Sequence, residues 1–268
     1  MFRLLNFLIT LVATALMTSS TQALPAFDQI VVFGDSLSDN GNAGRASNGP
    51  VWVEHLAERL GLSLRPSGTG GSNFAVGGAR LDPRSGNTSL RAQASAYLRT
   101  PRPRGRTLHV VYGGGNDLLA AVGQPQAPRM VEAAVASLRS IVADLASQGA
   151  SDILVPNLPG IGITPAVRAQ GRQAVEAADR LVEQFNSALD LALSDFAGRA
   201  GLRLYRLDVQ QLAARVRADP AGAGFSNITV PCGQRRDCSG YLFWDDVHPT
   251  TQAHRRLADA AAQLLETQ

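Results

Sequence analysis

Gln29-Ile30-Val31-Val32-Phe33-Gly34-Asp35-Ser36 decides how the chain folds. An apolar run ends abruptly at a glycine and passes into a polar turn. A strand buried on both faces reads this way, as an unbroken apolar run without alternation. The same pattern recurs downstream. Residues 107–112 (TLHVVY) run into Gly113-Gly114-Gly115, residues 153–155 lie within DILVPNLP, and residues 202–207 (LRLYRL) read as a fourth central strand. A shorter one, residues 73–76, ends in Gly77-Gly78. Between these runs the apolar residues recur at helical spacing. Helices are predicted over residues 51–60, 90–98, 128–147, 167–196, 209–217 and 250–265; in the fourth, Leu181, Phe185 and Leu189 are four apart. Residues 220–246 read as a glycine-rich loop. Alternating strands and helices predict an α/β protein, a parallel sheet with helices on both faces. Ligands of such sheets sit beyond the carboxyl ends of the strands. Three turns should therefore converge there: Gly34-Asp35-Ser36, residues 73–78 and Gly115-Asn116-Asp117.

Composition narrows the class. The chain has 268 residues, a hydrophobic fraction of 45% and a net charge of +3. That is ordinary for a globular domain and too polar for a polytopic membrane protein. All 25 basic residues are arginine, which excludes lysine-based chemistry. They are spread along the chain, so no nucleic-acid footprint is expected. Residues 1–23 read as a cleavable export signal: Arg3 near the start, an apolar stretch over residues 4–17, and Ala23 at the cleavage position. That stretch falls short of the roughly 20 apolar residues of a membrane span. Residues 24–268 are then one domain, released or periplasmic, with no outer-membrane barrel expected after the closing helix. The only cysteines, Cys232 and Cys238, share one loop and predict a disulfide in an oxidising compartment. Two thiols without a nearby histidine fall short of a metal site, and none is expected.

A serine hydrolase needs an activated hydroxyl, a base, a group that orients the base, and donors for an oxyanion. Ser36 falls where the first strand should hand over to a helix, with free N–H groups around it. Of four histidines, His55 and His254 fall in helices and read as solvated or half-buried, and His109 lies in a strand and should pack. His248 lies in Trp244-Asp245-Asp246-Val247-His248-Pro249, just before the last helix. An aspartate three residues upstream can reach back to the imidazole Nδ1 and leave Nε2 for the serine. Asp245 has that spacing; Asp246 is the alternative.

These stretches resemble the GDSL, or SGNH, hydrolase family. Residues 33–39 (FGDSLSD) are similar to its first block, residues 73–79 (NFAVGGA) to its second, residues 113–117 (GGGND) to its third and residues 245–248 (DDVH) to its last. Residues 47–56 (SNGPVWVEHL) are similar to a stretch of the bacterial phospholipase, lecithinase and haemolysin branch. The blocks occur in family order across nearly the whole exported chain. The resemblance implies a flavodoxin-like α/β/α sandwich and acyl transfer without a cofactor. It implies Ser36 as nucleophile with Asp245 and His248, and an oxyanion hole built from the N–H of Ser36, the N–H of Gly78 and the amide of Asn116. Gly77 is a near alternative to Gly78. A glycine permits close backbone approach to a reacting carbonyl, and an amide donates without titrating.

The G-x-S-x-G elbow of α/β-hydrolases is absent, because Leu37-Ser38 follows Ser36. The glycine loop at residues 113–115 lacks the G-x-G-x-x-G spacing of a nucleotide site. The expected activity is hydrolysis of lipid or short-chain carboxylic esters through an acyl-enzyme, by a monomer in at most transient contact with a membrane surface. Transfer of the acyl group to an alcohol needs the same site. A non-catalytic lipid- or glycan-binding module on this fold would have no need of Ser36, Asp245 and His248 together.

Overall fold

The computed structural model describes residues 24–101, 104–233 and 235–267. The expected export signal lies outside the described residues. Four strands, β1 (Gln29–Gly34), β2 (Thr107–Tyr112), β3 (Asp152–Pro156) and β4 (Arg203–Leu207), form a parallel sheet in that order. Every residue of β2 and β3 is buried, so both faces of the sheet are covered. The flanking helices pack in two groups. One contains α1 (Trp52–Arg59), α7 (Val209–Ala218) and α8 (Thr251–Glu266). The other contains α2 (Leu90–Leu98), α3 (Gly115–Ala121), α4 (Ala127–Ser147), α5 (Pro165–Arg168) and α6 (Arg172–Ser194). The result is the α/β/α sandwich expected from the alternation.

Residues 72–76 run beside β1 on the side away from β2. The Val32 N–H donates to the Ser72 carbonyl (3.0 Å), Phe74 N–H to Val32 (2.8 Å) and Val76 N–H to Gly34 (3.2 Å). The chain after β1 thus goes first to one side of it, then returns to build β2 on the other. Such a reversal opens a crevice at the carboxyl end of the sheet, where ligands of α/β proteins bind.

Several boundaries differ from the expectation. No helix follows Ser36. Residues 36–38 form a single turn, with the N–H groups of Ser38 and Asp39 both donating to the Asp35 carbonyl (3.0 and 2.9 Å), and α1 begins only at Trp52. The Leu37 N–H donates to Asp35 Oδ1 (3.0 Å), so of the N–H groups in this turn only that of Ser36 has no acceptor among the described residues, in place of the helix terminus anticipated there. The expected helix over residues 167–196 is two, α5 and α6, separated at Gly171, a poor helix former. The glycine-rich loop contains two short parallel strands, β5 (Asn227–Pro231) and β6 (Tyr241–Phe243). Cys232 and Cys238 are joined by a disulfide, with Cα atoms 5.4 Å apart, in the connection between them. His55 and His254 are buried rather than solvated, because α1 and α8 pack against each other and face them inward. His109 packs as expected, its Nε2 3.1 Å from the Tyr97 hydroxyl.

Candidate active site

β1 delivers Ser36 to the crevice through Gly34. A Cβ on Gly34 would lie 2.9 Å from the Tyr112 carbonyl oxygen and 3.1 Å from Ser38, so β1 and β2 can close here only with glycine. Gln93, from α2, completes the position. Its side chain accepts the Gly34 N–H (2.9 Å) and donates to the Gly34 carbonyl (2.8 Å), satisfying both buried backbone groups at the strand end.

Ser36 Oγ lies 2.9 Å from His248 Nε2, and His248 Nδ1 lies 2.8 Å from Asp245 Oδ2. The other Asp245 oxygen accepts the N–H groups of Val247 (2.8 Å) and His248 (2.6 Å), folding residues 245–248 into a turn around the carboxylate. Burial opposes ionisation of Asp245. Hydrogen bonds from the His248 imidazole and from these N–H groups outweigh it and hold the carboxyl below its usual range. Asp246 is exposed, and its carbonyl accepts the Ala166 N–H (2.9 Å). Of the neighbouring pair, Asp245 alone bonds the imidazole.

Two further groups adjoin Ser36. The Asn116 amide, in the first turn of α3, donates one hydrogen to the Ala79 carbonyl (2.9 Å), which orients it and leaves the second hydrogen free. In the loop over residues 73–79, the Gly77 N–H donates to Asp39 Oδ2 (2.8 Å). The Gly78 N–H has no acceptor among the described residues. Gly78 takes φ = +75°, open to glycine at little cost, and a Cβ there would meet nothing within 4 Å.

Beside Ser36 and His248 lies a cavity of about 180 Å³. Its walls are almost wholly apolar, with Leu158, Ile161, Leu212, Val216, Phe225 and Leu257 prominent among them. Among the described residues, no group of three or more His, Cys, Asp or Glu side chains could hold a metal ion.

The model of the GDSL-like lipase/acylhydrolase family matches residues 30–261. The chain belongs to that family. It is 27% identical to the phosphatidylcholine-sterol acyltransferase of Aeromonas hydrophila, over 95% of each chain. It is 26% identical to Lipase 1 of Photorhabdus luminescens and 28% identical to esterase EstA of Pseudomonas aeruginosa, over 94% and 95% of this chain. It spans about half the length of those two, 52% and 50%. Among solved structures, a GDSL-like lipase from Parabacteroides merdae superposes with a TM-score of 0.57, at 15% identity over 92% of this chain and all of that one. The acetylxylan esterase Axe2 of Geobacillus stearothermophilus gives 0.56, at 15% identity over 91% and 96%. These two likenesses bear on the fold. The GDSL protein is a carboxylic ester hydrolase, with small-molecule or lipid esters as its substrate class.

Other site features of this GDSL hydrolase carry no spacing signal. Burial pushes the Asp35 carboxyl up to about 6, against the pull of the Leu37 N–H and the His248 imidazole. Asp117, next to Asn116, accepts the N–H groups of Leu81 (2.9 Å) and Asp82 (3.2 Å), and burial raises its pKa against those bonds. Asn73 donates to the Ser38 carbonyl (2.7 Å) and to Asn40 Oδ1 (2.8 Å). Asn42 donates to the carbonyls of Asn73 and Ala75 (both 2.8 Å). These contacts join residues more than 30 positions apart; the expected convergence of the strand-end turns said nothing of which side chains would join them.

Proposed function

We propose that the protein hydrolyses aliphatic carboxylic esters through an acyl-enzyme on Ser36. The observation that carries this reading is the hydrogen-bonded chain Ser36–His248–Asp245 opening on an apolar cavity. His248 Nε2 takes the Ser36 proton as Oγ bonds to the ester carbonyl carbon. The oxyanion accepts the N–H groups of Ser36 and Gly78 and the free hydrogen of the Asn116 amide. His248 then protonates the departing alcohol, and the carbonyl re-forms as an acyl ester of Ser36. A water molecule, deprotonated by His248, attacks that ester; collapse releases the acid and returns the proton to Ser36. Asp245 holds the imidazole in the tautomer with hydrogen on Nδ1 and stabilises the imidazolium. Gly77 is unsuited to the oxyanion role because its N–H is already given to Asp39. No step calls for a cofactor.

The acyl chain occupies the cavity and the alcohol portion faces out. The site is complete within one chain, which fits a monomer. No helix among the described residues is long and apolar enough to cross a membrane. Export by residues 1–23, a single domain over residues 24–268 and a released or periplasmic location fit that and the disulfide. Contact with a lipid surface is then transient.

A second reading, acyl transfer to an alcohol, is favoured by the similarity to the acyltransferase over 95% of both chains. Both readings pass through the same acyl-enzyme. The test is a series of aryl esters of increasing acyl length, with and without an added acceptor alcohol, on the wild type and Ser36→Ala. The variant should be inactive and keep its fold, and an organophosphate should label Ser36. Activity in the variant, or labelling of another serine, would remove Ser36 from the mechanism. A new ester formed with the acceptor would establish transfer.

A further inference from the structure

Asp39 is fully buried in the turn after Ser36 and bonds no cation among the described residues. Its Oδ1 accepts the N–H groups of Gly41 (2.8 Å) and Asn42 (2.7 Å), and its Oδ2 those of Ala43 (2.9 Å) and Gly77 (2.8 Å). Four N–H donors to one buried carboxylate satisfy it without a counter-ion. Three of these bonds are local and shape the turn. The fourth crosses 38 residues to the loop that carries Gly78. That loop is close: a Cβ on Gly77 would lie 3.8 Å from Asp39 Oδ2 and 4.0 Å from the Ser36 Cβ.

The loop has two adjacent N–H groups beside Ser36. Asp39 binds one and leaves the other open. If the half-buried Gly77 N–H lost its acceptor, the peptide could turn that donor towards the crevice. We propose that Asp39 is the positioning residue of the oxyanion hole: its carboxylate clamps the Gly77 peptide so that the Gly78 N–H, and not that of Gly77, meets the oxyanion. This rests on the acyl-enzyme reading above, which Ser36→Ala tests independently. Asp39 touches no reacting atom. It acts through the loop, as preorganisation of a donor requires.

The experiment compares Asp39→Ala and Asp39→Asn with the wild type and with Asp152→Asn. Alanine removes both acceptor oxygens and with them all four hydrogen bonds; asparagine keeps the shape but turns its NH₂ on two of the donors. Asp152 is buried at the opposite end of the sheet, paired with Arg106 and Arg203 (both 2.7 Å), and Asp152→Asn supplies a destabilised protein with an untouched site. A donor displaced by about 1 Å costs about 10²-fold in rate. Asp39→Ala should therefore lose about 10²-fold in kcat with KM within about threefold of wild type, and bind an alkyl boronic acid more weakly by a similar factor. Asp152→Asn should lower the melting temperature and keep kcat. Folded Asp39→Ala with wild-type kcat, or a kcat loss matched by Asp152→Asn at equal destabilisation, would overturn the proposal. If neither Asp39 variant folds, the wild type still decides. On boronate binding the Gly78 amide resonance should shift strongly and the Gly77 amide should stay protected and nearly unshifted. The reverse pattern would overturn it. Activity persisting in Ser36→Ala would instead remove the underlying mechanism, whatever Asp39 does.

Discussion

Asp245 and Asp246 are neighbours whose carboxylates have different work. Asp245 accepts three hydrogen bonds from the segment it precedes, the His248 imidazole among them, whereas Asp246 is exposed. Asp245→Asn should cut kcat by as much as about 10⁴-fold, because an amide can hold the imidazole in the wrong tautomer. Asp246→Asn should be mild. Kinetics on the two variants separate them, and a larger loss from Asp246→Asn would reverse the pairing. Asn116 is a different case. With one amide hydrogen fixed on the Ala79 carbonyl, the other is aimed without further cost in entropy. Asn116→Ala should lose roughly 10²–10³ in kcat. Its KM should change little, because the bond strengthens as the carbonyl becomes an oxyanion. A variant with raised KM and unchanged kcat would make Asn116 a ground-state binder.

At the scale of elements, the disulfide connection is tied to the site through the backbone. The Cys232 N–H donates to the Phe243 carbonyl (2.8 Å) and the Gly233 N–H to Trp244 (2.9 Å), the two residues that lead into Asp245. The bridge closes a short loop, with a sequence separation of 6. Its contribution through the unfolded chain should fall below the ~3 kcal/mol expected for a 15-residue loop. Replacing Cys232 and Cys238 by serine should therefore cost little in denaturant midpoint but lower kcat severalfold, as the Asp245 turn loosens. Unchanged kcat together with a large loss of stability would contradict that division. The same region marks the limit of what the sequence discloses. The four central strands and the Asp245–His248 turn were legible because both signals are local: short runs rich in β-branched, leucine and aromatic residues, two of them ending in glycine, and an Asp–His offset of three. β5 and β6 were not, because at five and three residues they are too short to show a pattern and each is held by pairing with the other. The break before α6 was hidden because apolar residues keep helical spacing on both sides of Gly171. Nor could spacing reveal that Gln93 pairs with Gly34 across 59 residues or that Asp39 reaches Gly77. Those bonds exist only once the sheet has brought β1, α2 and the second block together.

The whole molecule should lose stability as the medium turns acid, and the buried histidines give the sign. His254 is 1% exposed, and among the described residues neither ring nitrogen has a hydrogen-bond partner. Burial, together with the nearby imidazoles of His55 and His248, drives its pKa down to about 3. Burial likewise lowers His109 to about 4. Unfolded, each titrates near 6.5. As pH falls below 6.5 the unfolded chain takes up protons that the folded chain refuses. Stability therefore drops, by up to about 1.4 kcal/mol per pH unit for each such group. Asp35 works the other way. Its folded pKa, about 6, lies above the unfolded 3.8, so between those values the folded state holds a proton that the unfolded state lacks. Asp117, also raised by burial, adds to that opposition. Asp152 joins only below 3.8: its arginine partners hold its pKa low despite burial, so their stabilisation fades as it protonates. Because these contributions overlap, the decisive quantity is a difference between two proteins. His254→Leu removes one refused proton from the balance. Urea unfolding at pH 7.5, 6.0 and 5.0 should show the variant gaining on the wild type as pH falls below 6.5, by up to about 1.4 kcal/mol per unit. Its deficit at pH 7.5, from altered packing, is irrelevant to that slope. A stability difference independent of pH over this range would mean that folded His254 protonates as readily as unfolded His254, and that the α1–α8 interface admits water to the ring.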